Sequence, residues 1–247
     1  MLRRTLIVIA TVFVVAYNSS PSSASADNTA TGAIVVSSAQ APVTKATTSL
    51  ALNLGTDAQS GRFAIADVLT YGGSQPAITP PDGWELIRDD STPTTRQSLY
   101  WHVIGANDSN TASWTFSDPV DAQGAVLFLD NVASDSPVDM SSGNTGGDVG
   151  GTLTAKSIAT TSSGDLILDF NATDFGAFRP TDCKDCSGLN PEMPENMSVV
   201  VNHESTPLEY WILANAQSQT GDTETQVSWA PQVFNWVAAQ VAIKSGS

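Results

Sequence analysis

Residues 150–243 repeat the pattern of residues 47–133, at an offset that drifts from 103 to 115 residues. Ser60-Gly61-Arg62-Phe63 answers to Ser163-Gly164-Asp165-Leu166, and Leu50 to Leu153. Pro81-Asp82-Gly83-Trp84 aligns with Pro194-Glu195-Asn196-Met197, Tyr100-Trp101 with Tyr210-Trp211, and Ala106-Asn107 with Ala214-Asn215. Further on, Ser113-Trp114 matches Ser228-Trp229, and Gly124-Ala125-Val126 matches Ala238-Ala239-Gln240. Two copies of this length do not make a solenoid, which stacks several units of roughly 20–50 residues. They predict two similar halves that cover each other. Either half alone would leave a hydrophobic sheet face bare, so residues 27–247 are expected to form one β-sandwich domain with a shared core.

Period-two alternation and turn chemistry run through both copies, with little helical periodicity. Residues 33–36, 47–54, 63–69, 84–88, 97–104, 112–116 and 125–129 read as strands in the first half. Residues 153–158, 166–172, 197–203, 208–215, 224–229 and 234–243 read as strands in the second. Gly72-Gly73-Ser74, Pro80-Pro81-Asp82-Gly83 and Asn107-Asp108-Ser109 are turn signals between them. The Gly/Ser/Asp stretch 134–151 reads as a polar connection between the halves. Short strands without intervening helices indicate an all-β, antiparallel, two-sheet, jelly-roll-like sandwich.

The amino terminus sets the expected compartment. Met1-Leu2-Arg3-Arg4 is positive, residues 5–17 are almost wholly apolar, and Ala24-Ser25-Ala26 is a small-x-small site before Asp27. That order is the pattern of a signal peptide, residues 1–26, removed on export. An apolar run of 13 residues is shorter than the roughly 20 that a spanning helix needs. The chain is therefore expected to be secreted or extracellular, with a periplasmic or cell-surface position as variants, and with no membrane insertion after cleavage. With 25 acidic against 10 basic residues and a net charge of −15, nucleic acid and anionic membranes are unsuitable partners.

The string Thr48-Ser49-Leu50, Gly61, Pro80-Pro81-Asp82-Gly83-Trp84-Glu85-Leu86-Ile87 continues through Arg96-Gln97-Ser98-Leu99-Tyr100-Trp101 and Trp114-Thr115-Phe116-Ser117 to Asp130-Asn131-Val132 and Pro137-Val138-Asp139. In that order the motifs resemble a β-sandwich domain of about 200 residues found in secreted bacterial and phage-tail proteins. The resemblance covers nearly all of residues 27–247, and it implies a jelly-roll-like fold and an extracellular setting. It supplies no catalytic motif to carry over. The chain departs from the pattern between Phe175 and Pro194.

That departure holds the two cysteines, in Asp182-Cys183-Lys184-Asp185-Cys186. A Cys-x-x-Cys pair is a redox dithiol, half a zinc site that His102 and His203 would have to complete, or a local disulfide. Export and the surrounding Pro, Asp and Gly favour the Cys183 to Cys186 disulfide, closing a short loop. No cofactor is required by any motif. Calcium is the one metal the composition suggests, with Asp169, Asp174, Asp182 and Asp185 as the densest set of hard oxygen ligands.

There is no Gly-x-Ser-x-Gly elbow, Walker-type loop, His-Glu-x-x-His or EF-hand loop. The best catalytic set is Asp169 and Asn171 on one strand, His203 and Glu204 on another and Tyr210 on a third, where His and Tyr could act as base and acid in a polysaccharide lyase. Trp84, Trp101, Trp114, Trp211 and Trp229 sit in repeated strand motifs, which marks them as core. Tyr71, Phe175 and Phe178 lie outside those motifs and are candidates for an exposed binding edge. The reading that results is a non-catalytic binding protein for an extracellular polysaccharide or other cell-surface polymer. A secreted lyase or hydrolase and a structural component of a surface layer or phage-like particle are the alternatives.

Overall fold

The computed structural model describes residues 32–147, 152–162, 164–174, 197–204, 210–218, 223–228 and 235–246; at 152, 199, 202–204, 210–218 and 223–228 the description is of the backbone. Residues 1–31 and 175–196, which include Phe175, Phe178, Asp182, Cys183, Asp185 and Cys186, lie outside the described residues, as does Trp229. The chain is an all-β sandwich of antiparallel sheets.

In the first half the strands are β1 (Ile34–Asn53), β2 (Phe63–Tyr71), β3 (Ile78–Thr79), β4 (Glu85–Ser91), β5 (Thr95–Val103) and β6 (Thr111–Asp130). In the second they are β7 (Val138–Gly146), β8 (Thr152–Ile158), β9 (Leu166–Asp174), β10 (Ser198–Glu204), β11 (Tyr210–Ser218), β12 (Thr223–Ser228) and β13 (Asn235–Ile243). The first sheet runs β1-β6-β2-β5-β4, with β3 also on β6. The second runs β7-β13-β9-β11-β10, the same order of equivalent strands. β8 and β12 form a separate pair.

That pair explains the two long strands of the first half. β1 and β6 pair along their whole lengths, but β1 shifts register between Ala41 and Ser49, and Ala46 there has φ +48°. Pro42 and Pro119, which cannot donate to a ladder, lie in this bend. Beyond it the ribbon folds back over the outer face of its own sheet. Gly124 pairs with Ala41 in the ladder, yet a Cβ on Gly124 would stand 3.0 Å from Leu50 Cδ2 and 2.7 Å from the Asp67 carbonyl oxygen. Only glycine admits that approach. In the second half the corresponding ribbon is interrupted, so β7 and β8 together match β1, and β12 and β13 match β6.

Two main cores result. Between the sheets, Ile65, Leu69, Leu99 and Leu127 meet Leu168, Phe170, Val237 and Val241. On the outer face of the first sheet, Leu50, Leu52, Trp114 and Phe116 of the folded-back ribbon cover Ala64, Ala66, Val68 and Tyr100. A smaller cluster, Ile158, Ile167 and Ala242, plays that part in the second half. All nine residues of β2 and of β9 are buried, because each central strand is covered on both faces. Each large aliphatic side chain so buried contributes about 1.5–3 kcal/mol.

The two sheets meet edge over edge in a reciprocal way. Ser38 Oγ of β1 donates to the Val200 carbonyl of β10 at 3.1 Å, and Arg88 of β4 reaches Ser141 Oγ of β7 at 3.4 Å. Since β7 is the counterpart of β1 and β10 that of β4, the halves pack about a pseudo-two-fold axis, as an isologous dimer interface does.

Polar groups enter the core between the sheets. Asp67 shares the inward face of β2 with Ile65 and Leu69, and Gln97 Nε2 donates to its Oδ2 at 3.0 Å. Gln123 Nε2 donates to Tyr71 Oη at 2.6 Å, and Thr95 Oγ1 crosses to Asp174 Oδ2 at 3.3 Å. Burial pushes the Asp67 carboxyl up to about 8, with the Gln97 bond opposing it.

Three sequence expectations change. Residues 33–36 and 47–54 belong to one bent strand, as do 112–116 and 125–129; the prolines bend the ladder without ending it. The polar connection 134–151 contains β7, whose mixed polarity is that of a half-covered edge strand. Finally, Tyr100-Trp101 and Tyr210-Trp211 are not equivalent. Gly61 (φ +86°) and Gly164 (φ +81°) stand alike before β2 and β9, which makes Tyr71 the counterpart of Asp174. Tyr71 pairs with Thr95 and Asp174 with Tyr210, so Tyr210 takes the place of Thr95.

Candidate binding cleft

Two turns at one end of the first half build a cleft. Trp84 N donates to the Pro81 carbonyl at 3.2 Å, and Gly83 at the third position has φ +82°, the arrangement of a type II turn. The second turn follows β5, where Asp108 N donates to the Gly105 carbonyl at 3.3 Å and Asp108 Oδ2 accepts from Gly105 N at 2.6 Å. Leu54 N holds the following loop by donating to the Asn110 carbonyl at 2.7 Å. Between the turns lies a cleft of about 240 Å³, floored by Leu54, Trp84, Ile104 and Ala112 and rimmed by Asp82, Asn107, Ser109 and Thr111.

His102 straps the two turns together. Its Nδ1 lies 2.8 Å from the Gly83 carbonyl oxygen and its Nε2 lies 2.6 Å from Asp108 Oδ2. A carbonyl and a carboxylate only accept, so both ring nitrogens face acceptors. A Cβ on Gly83 would stand 2.9 Å from His102 Cε1, which reserves that position for glycine. The Gly105 N–H, and after it His102, holds the Asp108 carboxyl below its ordinary value. Trp84 stacks at a tilt against His102, with centroids 5.4 Å apart, and meets Trp114 edge-on at 5.1 Å.

This arrangement limits the chemistry. Both His102 nitrogens already face acceptors within the fold, so the ring serves first to tie the two turns together. Trp84 packs against His102 and Trp114 and is 7% exposed, so it gives the cleft a floor rather than a stacking platform. What faces outward is a ring of hydroxyl, amide and carboxylate groups.

The residues singled out from the sequence fall elsewhere. Tyr71 is a correction: it is 2% exposed, because it shares the inward face of β2 with Ile65 and Leu69, and it forms no exposed edge. Asp169 is fully buried on the outward face of β9, where its Oδ2 accepts from Asn171 Nδ2 at 2.6 Å. The backbone register puts Tyr210 across from Asp174, His203 across from Ile212 and Asn215 across from Asp169. Asp169 and Asp174, five positions apart in a strand, point to opposite faces, so these two do not converge on one calcium ion. Among the described residues no group of three His, Cys, Asp or Glu side chains is placed to hold a metal. Trp84 and Trp114 are core residues, whereas Trp101 is half-buried and stacked on Phe63 at 5.6 Å. The sequence reading missed His102 as a structural residue; the facing turn signals at Asp82-Gly83 and Asn107-Asp108-Ser109 were the available clue. No family model matches the chain, and neither a curated protein nor a solved structure matches it.

Proposed function

We propose that this is a non-catalytic extracellular binding protein that holds a glycan, or another polyhydroxylated surface polymer, in the cleft strapped by His102. The observation that carries the reading is a rim of short hydrogen-bonding side chains around a histidine whose two nitrogens are already committed. Such a rim satisfies hydroxyl groups. At about 240 Å³ the cleft is smaller than the ~300–1,000 Å³ of most small-ligand sites, which suits one ring of a longer chain. The acidic surface, at a net charge of −15, favours neutral over anionic polymers. Export rests on the pattern of residues 1–26, and with it the Cys183 to Cys186 disulfide.

The test is binding of the exported protein to a panel of neutral and acidic polysaccharides, beside Asp82→Ala and Asn107→Ala. Retention on a neutral glycan, weakened about tenfold by either substitution at unchanged thermal stability, is the expected result. Release of reducing ends or of unsaturated products would make the protein an enzyme. Equal binding by wild type and both variants would remove the cleft from the reading.

A further inference from the structure

At one end of the second half, three strands bring an amine between two carboxyl groups. Ile243, the last residue of β13, pairs with Val138 of β7 on one side and Leu166 of β9 on the other. Lys244 follows Ile243, Asp139 follows Val138 and Asp165 precedes Leu166, so the three polar residues lie on three adjacent strands. The β7–β13 register skips at Asp139, between the Met140 and Val138 pairs, which frees that residue to turn toward its neighbour. Lys244 Nζ lies 3.7 Å from Asp139 Oδ1. The lysine backbone is pinned on both sides, its N–H donating to the Pro137 carbonyl at 2.8 Å and its carbonyl accepting from Ala133 N at 3.0 Å.

The two carboxyl side chains are shielded, while the Lys244 side chain is 27% exposed. The Asp139 side chain is 2% exposed and Asp165 is fully buried, beside the Ile158, Ile167 and Ala242 cluster. Thr161 donates to Asp139 twice, from its N–H at 2.5 Å to Oδ2 and from its hydroxyl to Oδ1. Neither oxygen of Asp165 has a hydrogen-bond partner, and the nearby Asp139 carboxylate favours the protonated form of this buried acid. Burial, and then the neighbouring Asp139 carboxylate, raises Asp165 to about 6. Burial alone would raise Asp139 as well, but the Thr161 donors, the Asp165 proton and the Lys244 charge outweigh it and hold Asp139 below its ordinary value.

We infer that Lys244 and Asp139 form an intramolecular isopeptide bond that joins the last strand of the second sheet to its first, with Asp165 as the assisting acid. The Lys244 ammonium gives up a proton, relayed by Asp165, to the Asp139 carboxylate. The free amine pair then attacks Asp139 Cγ, and Nζ–Cγ forms. The Thr161 N–H, which donates to Oδ2, stabilises that oxygen as the oxyanion of the tetrahedral intermediate, and Oδ1 is the oxygen that departs. Asp165 takes the second proton from the nitrogen and returns it to the departing oxygen, the C–O bond breaks, and water leaves. Ammonium plus carboxylate has become amide plus water, Asp165 is again protonated, and no oxidant or cofactor is consumed. The 3.7 Å between Nζ and Oδ1 puts the amine beside the carboxyl group whose carbon it attacks. Replacing a buried charge pair by a neutral amide also removes a desolvation cost.

The experiment is intact-mass and peptide mass spectrometry of the full chain, wild type beside Lys244→Arg, Asp139→Asn and Asp165→Asn, with near-ultraviolet circular dichroism to show that each variant is folded. Wild type should be lighter by one water molecule. Its digest should contain a branched peptide joining Lys244 to Asp139, formed faster well below the Asp165 value than well above it. Lys244→Arg should keep the unlinked mass, and Asp165→Asn should slow linkage at least tenfold. An unlinked wild-type mass after prolonged incubation in mild acid would overturn the inference. So would a water loss that survives in Lys244→Arg, since dehydration at Asp82-Gly83 gives the same mass. Linkage at the wild-type rate in Asp165→Asn would remove the acid from the scheme.

Discussion

Replacing Asp67 by Asn should stabilise the protein at neutral pH and make it less sensitive to pH. Asp67 is 1% exposed between the sheets, and burial lifts its carboxyl from 3.8 to about 8. The folded chain thus keeps this proton at neutrality, while the unfolded chain loses it near the ordinary value. A group whose folded value is raised contributes stability that is whole below the unfolded value and is lost as pH climbs to the folded one. The loss runs at about 1.4 kcal/mol per pH unit between about pH 4 and about pH 8, or about 4 kcal/mol by pH 7. Asn has the shape of the protonated acid, still accepts from Gln97 Nε2, and adds N–H donors where Asp67 Oδ1, Gln97 Oε1 and Gln123 Oε1 have none. The assay is urea unfolding followed by tryptophan fluorescence, in steps of pH from about 4 to about 8.5. The quantity to plot is the difference in unfolding free energy between Asp67→Asn and wild type, in which the other carboxylates cancel. It should rise with pH through that window by several kcal/mol. A difference that stays level would show that Asp67 is ionised in the fold, and that the argument from burial is wrong.

Two other substitutions test the layers and the strap. Trp114→Ala empties a fully buried site between the folded-back ribbon and its sheet and should cost about 3–5 kcal/mol, whereas Trp101→Ala gives up a half-exposed stack on Phe63 worth about 0.5–1.5 kcal/mol; equal shifts in urea midpoint would refute the layering. His102→Phe keeps a ring over Gly83 but loses both bonds, and because Asp108 is lowered in the fold its share of stability is present at neutral pH and fades as pH falls through that lowered value. The loss should be under about 1 kcal/mol at neutrality and vanish in acid, and a pH-independent loss in calorimetry would count against the contact with the Asp108 carboxylate.

The strands were readable where alternation and turn residues agree. Phe63-Ala64-Ile65-Ala66 and Leu166-Ile167-Leu168 announce buried central strands, and Gly61 and Gly164 mark the repeat because both adopt φ near +80°. Pro42 and Pro119 misled, since a proline at a bend leaves the same trace as a proline between strands. β7 was hidden by its composition: an edge strand half-covered by Arg88 needs no apolar alternation, and Gly143 sits where the guanidinium crosses it. Tyr71 was misplaced because it borders Gly72-Gly73, although its parity with Ile65 and Leu69 assigns it to the core. The cleft and the Lys244 cluster were out of reach for another reason. His102 meets Gly83 only through the β4–β5 pairing, and Asp139, Asp165 and Lys244 are separated by up to 105 positions. No local pattern reports on residues that only a ladder brings together.

The reciprocal sheet order has a kinetic consequence. In each half the opening strand pairs with the closing one, Ile34 with Asp130 and Val138 with Ile243. Neither ladder can be completed until almost the whole half is available, and both close loops on the order of 100 residues, the slow end of two-state folding. Among the described residues every ladder between named strands is nevertheless confined to its own half, and only the isolated Val132–Ser245 bridge crosses, so neither ladder search has to span the full chain. The first half can zip as a unit while the second is still extended, and the docking that brings Ser38 to Val200 and Arg88 to Ser141 then comes late. A slow refolding phase should therefore report on β1 and β6, or on β7 and β13, and a faster one on the hairpin of β4 and β5, where pairing partners are only a few residues apart.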